Sequence, residues 1–81
     1  LNFGDALHIL RNGGKVERKG WNGKNMFLFL VQDWDFQYPL GNSMDIEVVP
    51  FIMMKTADNK LVPWLASQTD VLAHDWEKVA E

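Results

Sequence analysis

Apolar side chains recur at three- and four-residue steps over the first fourteen positions, at Phe3, Ala6, Leu7 and Leu10. This is the stripe of a short amphipathic helix, with Asn2 placed to cap its start and Gly13 and Gly14 to end it. From Lys15 the period changes. "KVERKG" alternates and "NMFLFLVQ" is rich in strand formers, while the Gly, Asn, Gly cluster between them is turn chemistry, so residues 15–32 read as a β-hairpin with Trp21 at its tip. The stretch "DWDFQYPLGNSMDIEVV" has no clear period and contains Pro39, Gly41, Asn42 and Ser43, which predicts a long loop over 33–49 with a short strand near 46–49. "FIMMKTADNKLVPW" reads as a second hairpin turning at Asp58 and Asn59, two residues that tolerate positive backbone angles. "SQTD" places Ser67 and Asp70 to cap a helix over about 68–74, and "DWEKVAE" closes the chain as a last strand.

These elements predict an α+β fold: a small antiparallel sheet of four to five strands with two short helices, in one domain over 1–81. The run "MFLFLV" adds a constraint. A strand wetted on one face alternates, yet here both faces are apolar, the pattern of a strand covered on both sides. Two short helices cannot cover both faces of such a sheet, so a second copy of the chain is expected to supply the rest, giving a homo-oligomer, the alternative being that the long loop folds over the second face.

Composition narrows the function. An apolar content of 47% and a charged content of 23% are those of an ordinary globular protein, and the longest apolar run is far shorter than the roughly 20 residues of a membrane span. No basic, apolar leader opens the sequence and there is no cysteine, which fits a reducing cytosol. The net charge is −3, but residues 11–24 hold Arg11, Lys15, Arg18, Lys19 and Lys24 against Glu17 alone, a local +4 that leaves −7 on the remainder. Such a chain is a poor general binder of DNA or RNA, whose affinity comes from neutralising many phosphates. A few phosphates on a small ligand remain feasible, beside the plainer reading of a solvated hairpin whose lysines keep it soluble.

Catalytic chemistry is thin. His8 and His74 are the two histidines, and both fall inside predicted helices. The familiar metalloprotease, phosphate-loop, dinucleotide and nucleophile-elbow motifs are absent, and Asp33 and Asp35 read as solvated loop carboxylates rather than a cation site or an acid/base pair. No active site and no cofactor are expected.

Tryptophan stands out instead. Trp21, Trp34, Trp64 and Trp76 make four in 81 residues, and two lie in the turn-like contexts "GWNG" and "VPWLASQTD". Trp76 reads as core. Trp21, flanked by glycines, has few covering neighbours in its own chain. A flat ring beside amide and ammonium groups suits a nucleobase carrying phosphates: stacking for the base, hydrogen bonds for its edge, cations for the phosphates.

"GWNGK", "MFLFLV", "KTAD", "VPWLASQTD" and "DWE", in this order and spacing, resemble the phage Thoeris anti-defence two family over nearly the whole chain outside the 33–49 loop. The resemblance implies a non-enzymatic sponge: a homo-oligomer, typically a tetramer, that holds glycocyclic ADP-ribose signals made by bacterial TIR-domain defence proteins, in the cytoplasm of the infected host. Some relatives also hold cyclic oligonucleotides at a separate site. The implied pocket lies between subunits and uses Trp21 and Asn22 from the first hairpin tip and Trp64, Gln68, Thr69 and Asp70 from the other region, with Phe3 as a lesser aromatic contact. Lys15, Arg18, Lys19 or Lys24, or the amides after Ser67, would meet the phosphates. Phe51 departs from the tryptophan that relatives often carry, and Asn59 from the glycine that commonly completes the turn. A protein-binding module anchored by Trp21 and Trp64 is the competing expectation.

Overall fold

The computed structural model describes residues 1–21, 24–32 and 48–80. Helix α1 (Phe3–Arg11) begins where the apolar stripe begins, and Asn2 closes a reciprocal capping box: its side chain accepts from the Asp5 amide at 2.8 Å while its own amide donates to the Asp5 carboxylate. A cap of this kind stabilises a helix by about 1 kcal/mol. The helix ends as the sequence predicts. Gly13 takes φ of 85°, a left-handed turn that glycine enters without steric cost, and the Gly14 amide returns to the Ile9 carbonyl at 2.9 Å.

Strands β1 (Val16–Arg18), β2 (Phe27–Val31), β3 (Phe51–Lys55) and β4 (Leu61–Pro63) run as an antiparallel meander. After helix α2 (Gln68–Val71), strand β5 (Trp76–Lys78) returns to the far edge beside β1, giving the order β4-β3-β2-β1-β5. Among the described residues the expected α+β sheet-and-helix class is thus met, with five antiparallel strands and two helices. Asn59 adopts φ of 64° in the β3–β4 turn, so asparagine performs there what glycine does in a tighter version of the turn.

Register separates the two sheet faces. Val16, Leu28, Met54 and Val62 face one another across β1 to β4, and Arg18 pairs with Trp76 on the same side. On this face α1 packs against β1, β2 and β5, burying Ala6, Leu10, Val16, Leu28 and Trp76 as the core. Complete burial of a leucine such as Leu10 or Leu28 stabilises by about 1.5–3 kcal/mol. The other face carries Phe27, Phe29 and Met53, all half-buried, with the Lys15 and Lys55 ammonium groups 4.9 and 5.9 Å from the Phe27 ring centre. Apolar side chains thus stand on both faces of β2; α1 packs on the Leu28 side, and α2 is tied through Asp70 to Arg18 and Trp76 on that side.

Two expectations need correction. The second helix stops at Val71 rather than reaching 74, because the Asp70 carbonyl, which the residue 74 amide would need, accepts instead from the Trp76 indole at 2.9 Å and from the Ala73 amide. The chain turns there so that Trp76 can enter the core. His74 consequently lies outside any helix. Val48 and Val49 are not in a strand, and the rest of the predicted 33–49 loop, with Asp33, Trp34 and Asp35, lies outside the described residues.

Candidate ligand-binding site

Trp76 is 1% exposed and is the hub on which the other aromatics gather. Phe3 lies 5.4 Å from it between ring centres, Trp21 5.5 Å away at an interplanar angle of 80°, and Trp64 6.1 Å away at 88°. Phe3 and Trp64 also touch each other at 5.9 Å. Edge-to-face pairs of this kind add about 0.5–1.5 kcal/mol each beyond the area they bury. Three residues far apart in sequence and expected at the site, Phe3, Trp21 and Trp64, thus share one support, and all three remain half-buried.

Trp21 is therefore less bare than its turn context predicts. Its amide closes a turn on the Arg18 carbonyl at 3.2 Å, and the ring folds back onto Trp76. One edge is covered by its own chain. Gly20, just before it, donates to Asp75 Oδ2 at 2.9 Å, and a β-carbon at that position would come within 3.1 Å of the same oxygen. The glycine allows this close approach.

Beside the rings sits an ion-pair network that the sequence did not announce. Arg18 donates from Nη1 to Asp70 Oδ1 at 2.7 Å and from Nε to Asp75 Oδ1 at 2.8 Å, and its side chain is only 17% exposed. Asp70 Oδ2 accepts from the Ser67 hydroxyl at 3.0 Å, and Ser67 Oγ in turn caps the Asp70 amide. Burial pushes the Asp70 carboxyl up, but hydrogen bonds from Arg18, Ser67 and Trp21 outweigh it and hold its pKa below the ordinary value. The Arg18 hydrogen bond is the main cause holding the Asp75 carboxyl low as well, aided by the Gly20 amide. Both carboxylates raise the guanidinium in return, Asp75 most.

The remaining expected residues divide. Gln68 and Thr69 are exposed in the first turn of α2, adjacent to this network, and Lys24 is exposed in the turn leading into β2. Asn22 lies outside the described residues. Arg18, expected among the phosphate-binding cations, is already held by two carboxylates, and Lys15 sits over Phe27 on the opposite sheet face. Lys19 and Lys24 are the hairpin cations left exposed near Trp21. Arg18 and Asp75 are 57 positions apart, so no local pattern joins them; the signal that finds them is the β1–β5 pairing, which sets Arg18 opposite Trp76.

His8 is exposed and approaches the Asn12 amide at 3.5 Å, His74 is exposed, and among the described residues no cluster of His, Asp or Glu is arranged to hold a metal. No helix among them is long and apolar enough to cross a membrane. What distinguishes this small α+β domain is a set of half-covered aromatic rings packed on Trp76 beside a partly buried Arg18–Asp70–Asp75 ion-pair network. The chain belongs to the Thoeris anti-defense 2-like domain family, whose sequence profile matches residues 1–79. It is 48% identical over 85 residues to the Thoeris anti-defense 2 protein of Bacillus phage SP01, covering 99% of this chain and 96% of that protein. Membership makes it a phage anti-defence protein directed at Thoeris.

Proposed function

We propose that the protein acts by sequestration, binding a glycocyclic ADP-ribose immune signal and holding it intact so that the Thoeris effector is not activated. The observation that carries this reading is the convergence of Phe3, Trp21 and Trp64 on Trp76, with Gln68 and Thr69 exposed in the first turn of α2 and Lys19 and Lys24 exposed in the hairpin that carries Trp21. The rings supply stacking faces for a purine, the first-turn side chains supply hydrogen bonds to its edge or a ribose, and the lysines supply charge for the phosphates.

Magnitudes require more than one ring. Competing with a receptor at nanomolar concentration needs about 12 kcal/mol, whereas one stacked base supplies roughly 1–3 kcal/mol. The remainder must come from enclosure. Phe3 lines an open cleft of about 510 Å³ with Leu7, Val71, Leu72 and His74, and open surfaces of this sort do not surround a dinucleotide-sized ligand. A neighbouring copy closing over the rings would. The half-buried Phe27, Phe29 and Met53 on the second sheet face give such copies an apolar surface to share, which supports a homo-oligomer, tetrameric by resemblance. Cyclic oligonucleotides are a further ligand class to test, at a separate site.

A protein-binding role is the second reading. It is favoured by Leu65 and Leu72, 90% and 71% exposed on either side of α2, which are ready-made anchors for an apolar partner. One experiment separates the readings: the protein is incubated with glycocyclic ADP-ribose, freed of unbound material, heat-denatured, and the released small molecules are identified. Intact signal supports sequestration, an altered product supports an enzyme, and no retained signal leaves the protein-binding role.

A further inference from the structure

Arg18 sits where three separate stretches of chain meet. Its own carbonyl accepts from the Trp21 amide at 3.2 Å, its guanidinium bridges Asp70 in α2 and Asp75 before β5, and Asp75 also receives the Gly20 amide and, at its carbonyl, the Lys19 amide at 3.2 Å. Asp70 is tied a second time through its carbonyl to the Trp76 indole, against whose ring Trp21 rests. We infer that Arg18 is a positioning residue for ligand binding: it locks the Trp21 turn to the first turn of α2, so that the ligand meets a preformed surface, and it occupies the Asp70 carboxylate within the clamp. This rests on the sequestration reading and extends it by assigning Asp70 to the frame of the site rather than to ligand contact.

Carboxylate stereochemistry supports the assignment. Asp70 Oδ1 faces Arg18 and Oδ2 faces Ser67, while Asp75 Oδ1 faces Arg18 and Oδ2 faces the Gly20 amide. Each oxygen already has a donor from its own chain. A ligand with phosphates gains nothing from two more negative groups, and here their charge is answered by one guanidinium. Only arginine can do this, because its planar fork presents several donors to two carboxylates at once, whereas a lysine ammonium is a single point of charge on a flexible stem. A rigid binding surface matters for a sponge, since ordering a loop on binding would subtract directly from affinity.

The test compares wild type, Arg18→Lys, Asp75→Asn, Asp70→Asn and the double variant Arg18→Lys with Asp70→Asn. Calorimetry with glycocyclic ADP-ribose reads affinity, and the part of the indole circular-dichroism couplet that Trp21→Phe removes, which belongs to the Trp21–Trp76 pair and not to Trp64–Trp76, reads ring position independently of any ligand. Arg18→Lys is expected to retain a cooperative thermal transition, to lose that part of the couplet, and to weaken binding by about tenfold or more. Asp75→Asn leaves an acceptor for Gly20 and is expected to fall between, which keeps the idea testable if the arginine variant folds poorly. The double variant is expected to bind no worse than Arg18→Lys alone, because both changes open one clamp. A double variant markedly weaker than either single one would return Asp70 to direct ligand contact and overturn the assignment. So would an Arg18→Lys protein with wild-type affinity or an undiminished couplet. If wild type itself retains no glycocyclic ADP-ribose, the sequestration reading fails, which the couplet cannot cause or conceal; the ligand-positioning assignment then falls with it.

Discussion

At the residue scale the account turns on Trp76. Its ring is enclosed, its indole nitrogen bonds the Asp70 carbonyl, and three other aromatics rest on it. Trp76→Ala is accordingly predicted to cost about 3–5 kcal/mol, the range for removing a large aromatic from a core, as measured by denaturant unfolding. Its neighbour Trp21 is half-covered, so Trp21→Ala should cost less than about 2 kcal/mol, the most that partial burial of such a ring can contribute. The same pair shows how far single residues can be read from sequence. Trp76 in the core and Asn2 and Ser67 as caps were legible, because a small domain leans on its aromatics for buried area and a capping pattern is a local signal. The covering of Trp21 was not, since the ring that covers it arrives from 55 residues downstream.

At the element scale, the described strands followed their periods closely, and the errors fell on the short strand expected near 46–49, of which Val48 and Val49 are in no strand, and on α2. Local capping at "SQTD" predicted its start well, whereas its end is dictated by a tertiary demand, the Trp76 indole competing for the Asp70 carbonyl. The Arg18 clamp that joins α2 to the first hairpin carries its own pH dependence. Asp70 and Asp75 both have folded-state pKa values below the ordinary 3.8, so each binds its proton less readily in the native protein than in the unfolded chain. Their stabilising effect is complete above that ordinary value and is lost as the pH falls through the depressed folded-state values. Arg18 is raised and stays charged throughout. The Trp21–Trp76 couplet should therefore be constant from neutral pH down to about pH 4, then decline with further acidification. A couplet that faded between pH 7 and 5 would contradict the clamp as its origin.

For the whole molecule, the sheet has one face packed by α1 and another bearing the half-buried Phe27, Phe29 and Met53, the surface on which the proposed assembly of copies would rest. Light scattering on wild type is predicted to give a multiple of the single-chain mass, and Phe29→Glu to shift it toward the monomer while the helical signal persists, because burying an unpaired carboxylate in an interface is unfavourable. Architecture was largely written in the sequence; the site was written there only as a set of residue types. Its geometry depends on β5 crossing to pair with β1, a long-range choice that no local pattern expresses. The most direct test of sequestration is the release measurement made in parallel on wild type and Trp21→Ala. Wild type should carry glycocyclic ADP-ribose through removal of free ligand and give it back chemically unchanged on heating, while the folded variant gives back little. Equal release from both, or release of a cleaved product, would contradict the account.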